Sequence, residues 1–300
     1  MTFDQLKTFC TVARLKSFSR ASEQLHLTQP AVSTQILAIE KEHRVKLFHR
    51  TGKGILLTEA GEILLTTAKQ ILCLVEETRQ SFDDLEGLRR GKVSLGVSLV
   101  AGIYILPRIL GQFKLKHPEI EINLQVDHTS RIVEQIATND IELGFVGEGN
   151  PINHPHVATK PFLNDEFLVI MSKDHPLIKW KAIPATELAT PPFIASHKES
   201  ATRQAIERRL DAAGVRLNIV MEMENIEMIK KAVEANLGIS IMSGFAIQQE
   251  IQTGRLKALR VAKIPLNRQL YVARYKGKRL SKAAEAFLDF FMKNIAAVKP

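Results

Sequence analysis

The sequence has few cysteines and no long apolar segment. Cys10 and Cys73 are its only cysteines, and two cysteines so far apart make neither a disulfide framework nor a zinc site. No apolar run approaches the roughly 20 residues that a membrane span needs. Residues 1–6 lack the basic stretch and apolar core of a signal peptide. The sequence therefore predicts a cytoplasmic protein with no membrane partner.

The sequence also lacks the motifs of common catalytic and cofactor sites. Its glycines form neither a G-x-G-x-x-G turn nor a G-x-x-x-x-G-K-[ST] loop, and no G-x-S-x-G elbow occurs. His154 and His156 flank a proline without a nearby carboxylate or cysteine, and such histidines are more often surface residues than metal ligands. We expect no catalytic residue, no metal site and no cofactor.

Positive charge is concentrated at the start of the chain. The formal net charge is +9, and residues 1–58 carry nine Lys and Arg residues against four acidic ones, a net charge of +5. A basic segment allows a polyanionic partner without identifying it. At 300 residues the chain is also long enough for two or three domains.

Helical periodicity in this basic segment predicts three helices. The first spans about Phe3 to Leu15, and a short second helix follows Ser19, which is a candidate N-cap. Thr28 is the candidate N-cap of the third helix, whose first turn holds Pro30. Two helices that meet at so tight a turn are typical of a helix-turn-helix.

The third predicted helix has an apolar face and a polar face. The apolar face consists of Val32, Ile36 and Ile39. The polar face can then enter a major groove, where Gln29 is suited to adenine, Ser33 to several bases and Pro30 to a thymine methyl.

Two short predicted strands follow the third helix. Residues 47–50 and 54–57 flank Thr51-Gly52-Lys53, which reads as a turn between strands. Arg50 and Lys53 would then lie along phosphates, which position a protein without reading sequence. The pattern leaves one alternative open, a plain three-helix bundle with solvated charges.

Three segments resemble the LysR family of bacterial transcription regulators. They are FSRASEQLHLTQPAVS at 18–33, LFHR at 47–50 and LTEAG at 57–61. The resemblance extends over nearly the whole chain and implies a winged helix-turn-helix. The predicted DNA contacts are Arg20, Thr28, Gln29, Pro30, Ser33, Thr34, Arg50 and Lys53.

Two residues depart from the family pattern. Thr34 stands where the family often has a basic residue, which is expected to alter base preference. Arg44 replaces the usual glycine at the end of the recognition helix, and a left-handed cap there would be strained.

A long helix is predicted next, from Thr58 as N-cap to Leu88. Its apolar residues alternate spacings of four and three, as in a coiled-coil seam. They are Leu64, Ala68, Ile71, Val75, Thr78, Phe82 and Leu85. We expect residues 59–90 to be a linker and dimerisation helix, with burial against the chain's own C-terminal domain as the alternative.

From Lys92 the pattern becomes alternating strands and helices. β-α-β-α-β order over residues 92–146 predicts a parallel sheet, and a second set of strands and helices follows to about residue 241. In the family the last segment returns to the first lobe. We therefore expect lobe one at 91–162 and 268–300, and lobe two at 163–267.

The effector pocket is predicted between these lobes. In open α/β sheets, ligands bind beyond the carboxyl ends of strands, near helix N-termini that favour anions. The predicted effector contacts are Ser98, Leu99, Val100, Thr129, Ser130, Thr202 and Phe245. The hydroxyl residues among them are also suited to plain helix capping. The family commonly has Ser or Thr where Leu99 and Val100 stand, so a partly apolar effector is one expectation.

These observations predict one fold class and one function. The fold is α/β overall, with a winged helix-turn-helix at 1–58, the linker helix and a periplasmic-binding-protein-like, two-lobed domain at 91–300. The predicted function is transcription regulation by a homodimer or homotetramer. Its expected partners are promoter DNA of dyad symmetry, RNA polymerase and a small-molecule effector, for which an anion is one option. The rivals, a solute-binding protein and a small-molecule enzyme, leave residues 1–90 unexplained.

Overall fold

Three helices and a β-hairpin form the first part of the chain. The computed structural model describes residues 1–51, 54–85, 91–147, 152, 154–198 and 200–298. The elements in this part are α1 (Phe3–Leu15), α2 (Phe18–Leu25), α3 (Gln29–His43), β1 (Phe48–Thr51), β2 (Gly54–Leu57) and α4 (Glu59–Leu85). β1 and β2 pair antiparallel, which confirms the two predicted strands.

Each of the first three helices begins at a hydroxyl side chain. Thr2 caps α1 in a capping box with Gln5. Thr28 caps α3 by accepting from the Ala31 amide, which confirms the predicted cap. The predicted cap of α2 was wrong, because Ser17 rather than Ser19 accepts from the Arg20 amide. The earlier start brings Phe18 into the helix, where its ring packs 5.8 Å from that of Phe48.

The same three helices end in residues other than glycine that adopt the left-handed conformation. Lys16, His26 and Arg44 have φ angles of 50°, 54° and 54°. This backbone costs an L-residue roughly 1–2 kcal/mol because its Cβ approaches the next carbonyl oxygen. The expectation of a left-handed cap at Arg44 is thus confirmed.

The core of this part is built on the stripe predicted in α3. Val32, Ile36 and Ile39 are buried, and Phe9 lies 5.4 Å from Phe48 between ring centroids. The buried carboxylate of Glu40 accepts from the Leu47 amide at 2.8 Å. The end of α3 is therefore tied to the start of the hairpin.

Helix α4 belongs to the same compact unit, Met1–Gly87. Thr58 caps it by accepting from the Gly61 amide at 3.0 Å, as predicted. The first half of the predicted seam packs within the unit, because Leu64, Ala68 and Ile71 join the hydrophobic cluster that includes α1. The helix ends at Leu85 in the described chain, and its predicted end at 86–90 lies outside the described residues.

The second compact unit is Leu88–Pro300, and its first lobe is a five-stranded sheet between helices. The sheet order is β4-β3-β5-β11-β6, where β6 is Val157–Ser172, and β3, β4 and β5 are parallel as predicted. Its elements are β3 (Gly91–Val97), a π-helical turn (Ala101–Ile105), α5 (Leu106–Lys116), β4 (Ile120–Val126), α6 (Thr129–Ala137), β5 (Leu143–Gly147), β11 (Asn267–Tyr275) and α10 (Lys282–Asn294). Phe113, Phe145 and Phe287 are fully buried in this lobe.

The second lobe contains the strands predicted for it and one more. β8 pairs parallel with β7, an isolated bridge joins β7 to the residue before β9, and β9 and β10 flank β6. The elements are β7 (Pro192–Ser196), α7 (Ala201–Ala212), β8 (Asn218–Met223), α8 (Ile226–Glu234), β9 (Ser240–Ser243), α9 (Gln248–Gln252) and β10 (Leu256–Leu259). The additional strand, which has no counterpart among the predicted ones, is β10.

Strand β6 (Val157–Ser172) runs through both lobes without a break. It pairs with β11 over 157–166 and with β9 and β10 over 167–172. The predicted lobe boundary at 162/163 therefore falls inside a continuous strand. The two lobes are thus connected by a strand that is hydrogen-bonded in each of them.

The strained end of α3 generates a stability prediction. Arg44→Gly removes the left-handed strain, and the greater freedom of unfolded glycine offsets part of the gain. We expect the unfolding free energy of the first unit to rise by about 0.5–1 kcal/mol. Differential scanning calorimetry of the full chain measures it.

The control for this prediction is Arg44→Ala. It removes the same charge but keeps the Cβ atom, so no gain is expected. An equal rise in both variants would mean that charge, rather than backbone strain, sets the stability at this position.

Candidate functional site

The turn between α2 and α3 consists of three residues. His26 ends α2 in the left-handed conformation, and the Leu27 amide donates to the Ser22 carbonyl at 3.0 Å. Thr28 then caps α3, with Pro30 in the first turn. This connection fixes the angle at which α3 leaves α2.

Helix α3 has an exposed polar face, as predicted. Gln29, Pro30 and Thr34 are exposed and Ser33 is half-buried. The Gln29 side-chain amide donates to the Ser33 hydroxyl at 3.1 Å, so these two side chains are already aligned with each other. Leu37 lies one turn further on and is 55% exposed, which adds an apolar group to a surface that is otherwise polar.

The remaining predicted DNA contacts lie at the edges of this surface. Arg20 is exposed on α2, and no acidic side chain in the described part of the chain pairs with it. The backbone of Arg50 lies in β1, whereas its side chain and the whole of Lys53 lie outside the described residues. The contact assignments themselves stay predictions.

A cavity of about 740 Å³ lies between the two lobes. From lobe one it is bounded by residues that follow β3, β4 and β5 at their carboxyl ends, and from lobe two by residues around the ends of β7, β8 and β9. Five predicted effector contacts line it, namely Ser98, Leu99, Val100, Thr129 and Thr202.

Two predicted effector contacts do not line this cavity. Ser130 is exposed at the start of α6. Phe245 is 4% exposed and packs into the hydrophobic cluster of lobe one, because a 3-10 turn over Gly244–Ile247 directs it there. Its position makes Phe245 a structural link between the lobes.

Two family models cover the chain in succession. The model described as "Bacterial regulatory helix-turn-helix protein, lysR family" matches residues 3–62, and the model "LysR substrate binding domain" matches residues 86–296. The chain belongs to the LysR family. It is a DNA-binding transcription regulator with an effector-binding domain.

Similar proteins share this organisation. The "HTH-type transcriptional activator CmpR" of Synechocystis sp. is 36% identical over 99% of this chain and 97% of its own length. A full-length OxyR variant from Pseudomonas aeruginosa has the same fold, with a TM-score of 0.77, 21% identity and coverage of 100% and 96%. The regulatory domain of Synechocystis PCC6803 CcmR in complex with 2-PG matches with a TM-score of 0.63 and 33% identity, over 70% of this chain and 98% of that chain.

The structure adds a buried ion pair that sequence reasoning missed in this LysR regulator. Arg268 on β11 lines the cavity and stands 2.9 Å from the Asp165 carboxylate on β6. Burial raises the pKa of Asp165, while Arg268 and the Ser243 hydroxyl act to lower it. The available signal was a pair of opposite charges close to the two predicted lobe boundaries, at 162/163 and 267/268.

A second contact joins the lobes beside the cavity of this regulator. Tyr104, on the π-helical turn of lobe one, donates to the Glu227 carboxylate of lobe two at 3.1 Å. The Lys230 ammonium lies 2.6 Å from the same oxygen. Burial raises the pKa of Tyr104 to about 12, which keeps its hydroxyl protonated as a donor.

No metal cluster and no membrane span occur in the part of the chain that the structure describes. No group of three or more His, Cys, Asp or Glu side chains converges there. None of the described helices is long and apolar enough to cross a bilayer.

The Tyr104 contact generates a pH prediction. Tyr104→Phe removes one hydrogen bond, so we expect the effector domain to lose about 1 kcal/mol of unfolding free energy. The pKa of Tyr104 is about 12 in the folded protein, and its ordinary value is 10.0. The extra unfolding free energy of wild type over Tyr104→Phe is therefore complete below pH 10 and is lost as pH rises towards 12.

Urea denaturation followed by Trp180 fluorescence at about pH 8 and about pH 11 measures this difference. Tyr271→Phe is the control, since Tyr271 lies on β11 away from the Tyr104 contact. A wild-type advantage that persists unchanged at the higher pH would contradict the prediction.

Proposed function

We propose that this chain is a cytoplasmic homo-oligomeric regulator that binds dyad-symmetric promoter DNA through α3 and responds to a small anionic effector in the interlobe cavity. The observation that carries the proposal is the cavity at the carboxyl ends of the strands. The same chain has an exposed polar face on α3. A ligand there contacts both lobes, so it favours whichever lobe arrangement it binds more tightly.

The N-terminus of α6 supports an anionic effector. Among the described residues no side chain caps this helix, and Thr129, its first residue, lines the cavity. The free amide groups of a first helical turn favour negative charge. The CcmR regulatory domain binds 2-PG, and we infer an effector of the same broad class for this chain.

Exposed apolar side chains on α4 support a homodimer. Ile63, Leu74, Val75 and Phe82 are 64%, 60%, 41% and 65% exposed on this helix. A helix of 27 residues spans about 40 Å, enough for two copies to place their recognition helices in successive major grooves. The same proposal includes a homotetramer as the alternative oligomer and RNA polymerase as a protein that the regulator contacts.

The oligomer is tested by Val75→Glu combined with Phe82→Glu. Burying two carboxylates in a helix interface is unfavourable, so we expect the dimer dissociation constant to rise by about 100-fold or more. Analytical ultracentrifugation measures it. Thr66→Glu, on another side of the helix, is the control; unchanged dimerisation of the double variant would place the interface elsewhere.

DNA binding is tested by a genome-wide pull-down of bound DNA. The wild type is expected to give discrete dyad-symmetric sites, and Ser33→Ala combined with Arg50→Ala to lose them, because one change removes a base contact and the other a phosphate contact. The control is Arg108→Ala, which removes one exposed positive charge in the effector domain. Diffuse binding by the wild type would refute the proposal.

A further inference from the structure

A second concentration of positive charge lies on lobe two, outside the interlobe cavity. It consists of residues 173–187 and 255–263, which carry seven Lys and Arg residues against two acidic ones, a net charge of +5. The whole chain carries +9 and residues 1–58 carry +5, so the remainder of the chain has a net charge of −1. The excess positive charge is thus confined to the first 58 residues and to this lobe-two basic surface.

Backbone hydrogen bonds bring the two segments of the lobe-two basic surface together. Segment 173–187 continues from the end of β6, which pairs antiparallel with β10. Further along this segment, the Ile183 amide donates to the Arg260 carbonyl at 2.8 Å, and the Ala262 amide donates to the Ile183 carbonyl at 2.8 Å. The two segments are therefore joined at more than one point and form one continuous surface.

Five lysines of this surface have no acidic partner in the described part of the chain. The two arginines differ from them, because Arg260 pairs with Glu166 at 2.7 Å and Arg255 lies 3.5 Å from Glu234. The ammonium groups of the lysines are therefore free to contact an external anion. These lysines, all of them exposed, are Lys173, Lys179, Lys181, Lys257 and Lys263.

The composition of the surface favours phosphates over a protein partner. The cores of protein–protein interfaces are depleted in Lys and enriched in aromatic side chains. Within 173–187 and 255–263, all of which the structure describes, Ile178 is the only large apolar side chain that is exposed. Lys257 and Lys263 are six residues apart, hence separated by at most about 20 Å, which matches about six base pairs of duplex DNA.

We propose that the lobe-two basic surface binds the phosphates of duplex DNA, as a contact of the regulator with its promoter that is separate from α3. The contact reads no sequence, because phosphate contacts position a protein without distinguishing bases. The inference goes beyond the recognition proposed for α3 and does not depend on the effector. A surface of lobe two that binds DNA links the position of that lobe to the promoter.

The salt dependence of DNA binding tests this inference. Each contact between a lysine and a phosphate releases counterions and steepens the slope of log K against log salt concentration by about 0.9. Lys181→Gln combined with Lys257→Gln and Lys263→Gln is therefore expected to make the slope shallower by about 2 to 3. Fluorescence anisotropy of the full chain with a mixed-sequence DNA duplex, over about 50–200 mM salt, measures the slope.

The matched control is Lys160→Gln combined with Lys276→Gln and Lys293→Gln. It removes the same charge from three exposed lysines of lobe one, so an unchanged slope is expected. A second variant changes the three lysines of the lobe-two basic surface to Arg, which keeps their charge, and it is expected to retain the wild-type slope. All of these side chains are exposed, so thermal melting of the variants is expected to match that of wild type.

The outcomes separate this inference from recognition by α3. An equal slope in wild type and in the lobe-two Gln variant would overturn it. An equal change of slope in the lobe-one control would also overturn it, because net charge alone would then explain the effect. If the lobe-two Gln variant keeps the wild-type slope but loses activation of RNA polymerase, the surface binds a protein and the inference is wrong. In each of these cases, discrete operator sites that depend on Ser33 and Arg50 would still support the proposed function.

Discussion

Pairing between β6 and β11 is the constraint on which the effector domain depends. Both strands pass from one lobe to the other, and their register places Arg268 opposite Asp165. Thr202 and Ser243 of lobe two hydrogen-bond to this pair, and Gly147 of lobe one lies against it. A buried charge is tolerated only when it is paired. The register of β6 and β11 therefore fixes where the Arg268 guanidinium lies beside the cavity.

The DNA-binding unit depends on a different constraint, the length of its helices. Hydroxyl caps at Thr2, Ser17 and Thr28 set where each helix begins. Strained left-handed residues set where each ends, at a cost that a glycine would avoid. The turn before α3 is consequently short, and the polar face of α3 is presented by a rigid support rather than by a loop.

Local patterns in the sequence predicted most of the fold and part of the site. The stripe on α3 and the cap at Thr28 follow from periodicity and side-chain chemistry, and five cavity residues follow from the carboxyl-end rule for α/β sheets. Ser17 and Ser19 are equivalent as local caps, and the packing of Phe18 on Phe48 decides between them. Asp165 and Arg268 are 103 positions apart, so only tertiary pairing brings them together.

The position of β11 has a consequence for biosynthesis. This strand lies between β5 and β6 in the sheet of lobe one, although residues 267–275 are made after the whole of lobe two. A nascent chain that has not yet reached β11 leaves edges of β5 and β6 unpaired, and such edges are prone to aggregate. Lobe one therefore completes its folding late in translation, and a ribosome that stalls before residue 267 would release a chain that chaperones have to hold.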